Sequence, residues 1–432
     1  MRYEGFAVSE RGYQHILNGT VCQDSVQYVQ DMHCAAAAAA DGHGSRQYFR
    51  SDRGSYFAAE ISCSKIREFL HSDVLAVDDA REENKAVTQL VHSIITDWHI
   101  AVRNDLIKYP LTKAEMQKVP EKYISEYSIF SEEKAAEYKD DDLREIVQNE
   151  HSHIQKAYGT TLLAVGICDN YAIALHIGDG KCVALYEDGS MDEPVPWDEN
   201  CHLNRCTSMC DRNAAKEFRF HIWKKKLPAA IFIGTDGIDD TFAAMLHTFY
   251  RNAALDFLQQ DFRGSVESLQ NRLGEISRAG SRDDVSIAGV IDIKKIREME
   301  TKLKLTAELE SAVSQKKRLL ENDSELKFRA EKLQRLLLQY RSKAESGEEE
   351  AAEKAAEYEE KCAAAEKECI LNQEKLCTAE KLIAQLQSEL ESTVSSEKKV
   401  SDNADEPEIC TETTEKSDLL ISENEDWEED GD

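Results

Sequence analysis

Beyond Asp292 this chain almost stops using the two residues that break helices. Residues 293–400 contain one glycine, Gly347, and no proline, and are dominated by charged residues, alanine, glutamine and leucine. So long a stretch without breakers can fold as little except helix. Leu305, Ala312, Leu319, Leu326, Leu333 and Tyr340 recur every seventh residue. After an interruption at Glu345–Glu350, Cys362, Cys369, Leu376, Ile383 and Leu390 do the same, with Ala365, Asn372, Ala379 and Leu386 between them. This is the a/d pattern of a coiled coil. Ser346-Gly347-Glu348 reads as a hinge or phase shift. Asn372 in the seam would set register or strand number at some cost in stability. Lys316 and Asp323 are poor seam residues, so a solitary charged helix is the competing reading. The division predicts a globular domain over 1–292, a coiled coil over 293–400 and a tail over 401–432. That tail has 14 acids against one lysine, including Asp426-Trp427-Glu428-Glu429-Asp430. It is expected to be disordered and solvating.

Charge narrows the function. At a net −30 and a sequence pI of about 4.9, the chain lacks the basic footprint for general nucleic-acid binding or for anionic lipid. Its 12 cysteines form no paired framework. Cys201, Cys206 and Cys210 cluster with His202, but not at zinc-site spacing, so structural thiols are expected. Together the cysteines suggest a reducing cytoplasm. No apolar leader and no membrane-spanning segment is expected.

Within 1–292 the reading is coarse. Residues 1–40 read as two short strands with a turn at Asn18-Gly19. Residues 45–72 read as a helix that Ser45 could cap. Residues 83–108 form a second helix, with Leu90, Ile94, Ile95, Trp98, Val102 and Leu106 on its core face. Residues 110–150 look like an acidic surface insertion carrying Lys139-Asp140-Asp141-Asp142, solvated or a regulatory contact. Leu162–Ile167, Ala172–Ile177 and Val183–Tyr186 are spaced for antiparallel hairpins. Leu255–Leu273 reads as helix, broken near Gly264. Strands interleaved with helical blocks give a layered α+β sandwich.

The chemistry centres on Asp41-Gly42-His43-Gly44-Ser45, directly after six alanines, Ala35–Ala40. Asp41 is a hard oxygen ligand suited to Mg²⁺ or Mn²⁺. The glycines let the backbone turn sharply, and His43 can carry a proton. Alone the segment could be only a turn. Asp24, Asp236 and the pair Asp283-Asp284 also flank strand-like runs. Carboxylates converging from strand ends repel one another unless a cation neutralises them. Two divalent ions about 4 Å apart would do so and could deprotonate a bridging water.

These pieces resemble the metal-dependent PP2C-type (PPM) serine/threonine protein phosphatases, in their bacterial branch. In chain order the matching motifs are Cys22-Gln23-Asp24, Asp41-Gly42-His43-Gly44-Ser45, Tyr158-Gly159-Thr160-Thr161 and Ile177-Gly178-Asp179-Gly180. Gly234-Thr235-Asp236-Gly237-Ile238-Asp239-Asp240 and Ser281-Arg282-Asp283-Asp284-Val285-Ser286 complete the set. The resemblance covers roughly 1–292. It implies two central antiparallel β-sheets flanked by α-helices. It implies two ions, Mn²⁺ or Mg²⁺, with Asp41 and the Gly42 carbonyl between them, Asp236 and Asp283 on one, and Asp24 bound directly or through water. A third, weaker ion would be shared by Asp179 and Asp236. A metal-bridging water would attack phosphoserine or phosphothreonine of a protein substrate, and His43 would protonate the leaving oxygen. Asp284, Asp239 and Asp240 are expected to support the site. Many relatives carry an arginine shortly before the Asp24 position that grips phosphate. Here Asn18-Gly19-Thr20-Val21 stand there, which leaves His15, Arg11, Arg46, Arg50 or Arg53 as substitutes.

The coiled coil implies a homo-oligomer or a partner protein. The rival reading is a catalytically weak scaffold or adaptor acting through that coil; the complete set Asp24, Asp41, Asp236 and Asp283 favours the enzyme. A small-molecule phosphatase of the same fold is a further alternative.

Overall fold

The computed structural model describes residues 2–72, 74–76, 79–137, 153–201 and 206–404, without the side chains of Glu349 and 394–404. The Asp140–Asp142 run, His202 and the acidic stretch 405–432 lie outside the described residues.

The alanine run is a strand buried on both faces. Ala35–Ala40 are all fully buried in β3 (Cys34–Ala40). Side chains alternate across a strand, so the two faces meet different neighbours. Ala35, Ala37 and Ala39 join Leu163, Val165, Ile231, Ile233, Ala288 and Val290 in a layer between two sheets. Ala36, Ala38 and Ala40 face helices, against Ala58, Ala59 and Ile66. Methyl-sized side chains allow both layers to approach closely. Gly166 on β4 (Leu162–Cys168) extends this, since a Cβ there would lie 2.3 Å from Ile66 Cγ2.

Each sheet has five strands. One runs in the order β2-β3-β4-β5-β8, where β2 is Ser25–Gln30, β5 Ala172–Ile177 and β8 Arg219–Trp223. The other runs β1-β10-β9-β6-β7, where β1 is Glu4–Glu10, β6 Lys181–Leu185, β7 Met191–Asp192, β9 Ala230–Gly234 and β10 Val285–Ile291. All strand pairs are antiparallel. The principal helices are numbered separately. α1 (Ser51–His71) and α2 (Ala80–Lys108) cover the first sheet. α3 (Asp236–Phe242) follows β9, and α4 (Leu246–Asp256) and α5 (Phe262–Ala279) cover the second sheet. The result is the α+β sandwich of two antiparallel sheets between helices.

Several local expectations differ from the structure. Residues 1–40 form three strands and a short helix, Tyr13–Asn18, which Gly19 ends at φ 71°. α1 starts six residues after Ser45, with Arg50 at its N-cap. β6 lies in the opposite sheet from β5, so β5 and β6 are consecutive but form no hairpin. Gly264 lies inside α5, where the Asp261 carboxylate accepts its amide at 2.7 Å; the helix break precedes that cap. The described part of 110–150 is no surface loop, because Leu111, Val119, Tyr127 and Phe130 are buried in the core beneath α1 and α2. Arg50 ties it down through Glu115, at 2.7 Å.

Beyond β10 the chain does not leave the domain at once. Ile296, Met299 and Leu303 pack with the α4 and α5 core. α6 (Glu300–Glu345) then runs outward, and α7 (Glu349–Ala404) returns beside it after a turn at Gly347 with φ 95°. The seam is the heptad stripe: Ala312, Asp323, Cys362, Ala365, Asn372, Ala379 and Leu386 are buried. Asn372 donates to the Leu319 carbonyl at 3.0 Å and accepts from Asn322 at 2.9 Å. Lys316 leaves the seam to pair with Glu380 at 2.9 Å, and Asp323 pairs with Lys327 at 2.8 Å. The coil is therefore an antiparallel hairpin within one chain. Among the described residues, no helix is long and apolar enough to cross a membrane.

Candidate active site

Antiparallel pairing brings distant motifs to one end of the sandwich. β3 ends at Asp41, β5 at the Gly178-Asp179 turn and β9 at Asp236, while Asp24 precedes β2 and Asp283-Asp284 precede β10. The carboxylates of Asp41, Asp179 and Asp236 lie within 4.8 Å of one another. They border a cleft of about 640 Å³ with Gly42, His43, Asp240, Asp283, Asp284, Lys156 and His15.

The backbone around Asp41 is fixed. Its amide donates to Thr161 Oγ1 at 3.0 Å, and its carbonyl accepts from Thr161 N and Thr160 Oγ1, both at 2.8 Å. This gives the Tyr158-Gly159-Thr160-Thr161 motif a physical task. Gly42 is walled in, because a Cβ would lie 2.6 Å from the Gln23 carbonyl oxygen and 2.7 Å from that of Ser51. Asp24 accepts from Thr235 Oγ1 at 2.7 Å, behind the three-carboxylate cluster.

Asp283 and Asp284 divide. Asp284 is buried and engaged by Gly12 N and Gln23 N, each at 2.6 Å, and by His15 Nδ1 at 2.8 Å. It staples two loops to β10. Asp283 is exposed at the rim, with His15 Nε2 3.7 Å away, and stands apart from the three clustered carboxylates.

The electrostatics are those of crowded like charges. Burial first, then neighbouring carboxylates, push Asp41 and Asp24 well above the usual carboxylate range. Burial and the charges of Asp179 and Asp283 push Asp236 the same way. Among the described residues no Lys or Arg forms an ion pair with Asp41, Asp179 or Asp236. Asp239 is half-buried, but both its carboxylate oxygens are buried and unpartnered, and burial raises it to about 9. Burial and Lys156 lower His43 to about 4, so its imidazole is neutral at pH 7. Its ring meets Tyr48 edge-on at 4.7 Å, and Cys206 Sγ lies 4.0 Å from Nδ1.

Of the substitutes for the absent arginine, His15 alone borders the cleft. Arg50 is buried with Glu115, Tyr158 and Asp105. Arg53 bonds Asp105, Arg46 bonds the Gln117 carbonyl, and Arg11 bonds the His15 carbonyl. Lys156, Gln47 and Asp211 line the cleft without having been singled out, and Cys206, expected as a structural thiol, lines it as well. Only Lys156 left a sequence signal, standing two residues before Tyr158-Gly159.

Strand-end carboxylates without ion-pair partners thus crowd one polar cleft, an arrangement whose mutual repulsion a divalent cation would relieve. The model of the family described as protein phosphatase 2C matches residues 11–277. The chain belongs to that family, and so to the metal-dependent serine/threonine protein phosphatases. No curated protein matches the sequence. Similar solved structures include the Mycobacterium tuberculosis serine/threonine phosphatase PstP/Ppp, at 14% identity and TM-score 0.35, covering 67% of this chain and 99% of that one. The Staphylococcus aureus serine/threonine phosphatase Stp1 is 10% identical with TM-score 0.38, covering 67% and 95%. The family assignment rests on the sequence match.

Proposed function

We propose that this site removes phosphate from phosphoserine and phosphothreonine of proteins using two Mn²⁺ or Mg²⁺ ions. Asp41, the Gly42 carbonyl, Asp236, Asp283 and Asp24 would hold them, and Asp179 would share a third, weaker ion with Asp236. The observation that carries this reading is the meeting of Asp41, Asp179 and Asp236 within 4.8 Å. The donor set fits: it is all hard oxygen, it is crowded, and its mutual repulsion is relieved by a cation. When bound, the ions neutralise phosphate charge and supply hydroxide near neutral pH.

The chain's own groups do the rest. Thr160 and Thr161 aim the Asp41 carboxylate. Lys156 and His15 offer the phosphate oxygens donors in place of the missing arginine. His43 is neutral until a phosphate dianion arrives. That nearby charge raises its proton affinity, so it can carry the proton the departing serine or threonine oxygen needs. Lys156→Ala is expected to raise KM by about tenfold, the loss of one charge-assisted hydrogen bond, with a smaller change in kcat. Steady-state kinetics on a phosphoserine peptide measures it, and an unchanged KM removes Lys156 from the phosphate contact.

The direct test is hydrolysis of that peptide and of p-nitrophenyl phosphate with Mn²⁺ or Mg²⁺, before and after a chelator. Activity that appears with the ion and disappears with the chelator is expected. No hydrolysis with either ion would leave the scaffold reading.

In this reading residues 1–292 are catalytic, 293–400 the coiled coil and 401–432 an acidic extension. The cysteines among the described residues are all free, which supports a reducing compartment such as the cytoplasm; removing phosphate from proteins there would be a signalling role. Because the hairpin closes its own seam, association with a second copy would use the exposed Phe328, Leu338 and Ile370. Light scattering on full-length protein and on Phe328→Lys/Leu338→Lys tests this. A dimer that the double variant splits is expected, and a monomeric wild type sinks the idea.

A further inference from the structure

A second cluster of ligand-bearing side chains lies at the other end of β3 from Asp41. Cys34 opens the strand and Asp41 follows its last residue, so seven residues, roughly 23 Å of strand, separate the two places. At the Cys34 end, one atom each from Asp31, Cys34 and His71 lie within 4.8 Å of one another. With the Asp31 Oδ2 oxygen, the separate distances are Cys34 Sγ to His71 Nε2 3.9 Å, Cys34 Sγ to Asp31 Oδ2 3.9 Å, and His71 Nε2 to Asp31 Oδ2 2.8 Å. Edges of a tetrahedron built from ordinary zinc–sulfur, zinc–nitrogen and zinc–oxygen bonds are about 3.5 Å long.

We propose that Asp31, Cys34 and His71 form a structural site for a borderline-soft divalent ion, zinc by preference, separate from the catalytic ions. The donor set differs in kind from the cleft. It is one sulfur, one imidazole and one carboxylate, whereas the cleft offers oxygen. Three further observations support it. The Asp31 carboxylate is already oriented, since Oδ1 accepts the amides of His33 at 2.8 Å and Cys34 at 3.1 Å, which leaves Oδ2 toward His71. Cys34 is buried while His71 is exposed, so the sulfur is held by the core and an ion can enter from solvent. His71 ends α1, where the helix dipole favours a cation. The His33 ring, 5.5 Å from that of His71 between centroids, is a candidate for the fourth position, which water could otherwise fill. Binding releases the Cys34 thiol proton to solvent and leaves a thiolate on the ion. The ion would join the β2–β3 turn to the end of α1, and so brace the strand that leads to Asp41.

The test uses full-length protein with excess Mg²⁺ to occupy the cleft. Zinc is titrated against a competing chelator, and cobalt is titrated while the near-ultraviolet thiolate-to-cobalt absorption is followed. One equivalent of zinc should bind, and cobalt should give the thiolate band. Cys34→Ser should abolish the band, and both Cys34→Ser and His71→Ala should weaken zinc by about tenfold or more. Cys206→Ser, at the cleft, should keep the band. A wild type without the band, or a band that survives Cys34→Ser, overturns the proposal. Metal-free melting temperature and Mn²⁺-dependent phosphatase activity should be unchanged in Cys34→Ser. If that variant fails to fold, His71→Ala at the exposed helix end decides, and unchanged zinc affinity there overturns the proposal.

Discussion

Asp236→Asn lowers kcat/KM on a phosphoserine peptide by about three orders of magnitude while the protein stays folded. The substitution is isosteric, so packing at the start of α3 is kept. It removes a ligand from the cluster shared with Asp41 and Asp179. Metal catalysis supplies several kcal/mol, and about 1.4 kcal/mol is a factor of ten, so losing an ion costs roughly three decades. A second readout separates this from misfolding. Burial and like charges push these carboxyls up, so their ionisation at neutral pH opposes the fold. The amide removes one such charge, so melting temperature without metal should hold or rise. The gain on adding Mn²⁺ should shrink, because less binding energy is linked to the folded state. Activity within tenfold of wild type would refute the assignment.

Gly54→Ala destabilises the protein by about 3 kcal/mol or more, although alanine is the better helix former by about 1 kcal/mol. The sign is decided by contact. A Cβ on Gly54, inside α1, would lie 1.9 Å from the Tyr158 carbonyl oxygen and 2.7 Å from its carbon. Backbone cannot swing aside as a side chain can. Tyr158 is also anchored, through its hydroxyl to Asp105 at 2.6 Å and to Arg50 at 2.9 Å. Trp98 Nε1 fixes the other side by donating to the Gly54 carbonyl at 2.9 Å. Any relaxation moves the segment that carries Thr160 and Thr161, which hold Asp41. Activity should therefore fall with stability. Urea denaturation measures the first, and a variant as stable as wild type would refute the argument.

What could be read from the sequence was what short-range periodicity or composition encodes. The α2 core stripe from Leu90 to Leu106 and the heptads of α6 and α7 are periodic; the structure buries the first in the core and lays the second, mostly half-buried, along the contact between α6 and α7. Period, however, specifies a seam and not a partner, so nothing local distinguished a second chain from the same chain folded back at Gly347. The strand-end acids Asp41, Asp179, Asp236, Asp283 and Asp284 were visible because each lies at or near the end of an apolar run, whereas Asp24 was matched through its motif. Cys206 and Asp211 were not legible as cleft residues, because they lie on irregular segments whose meeting with the strand ends depends on the whole sandwich. The switch of β6 into the opposite sheet was hidden for a related reason: a short connection fits a hairpin and a crossing between layers equally well. The 110–150 region misled through its charge. Its few apolar residues, Leu111, Val119, Tyr127 and Phe130, are the ones that decide where it packs.

The hairpin also sets a length scale for delivery. Its outgoing helix has 46 residues, which at about 1.5 Å per residue is a rod of roughly 70 Å. The Gly347 turn is therefore remote from the cleft. A phosphorylated segment captured at that turn would need about 20 extended residues of its own to reach Asp41. One captured near Glu310, which pairs with Arg251 of α4, starts beside the catalytic domain. The separation of any point on the rod from the cleft is thus fixed by its position along α6.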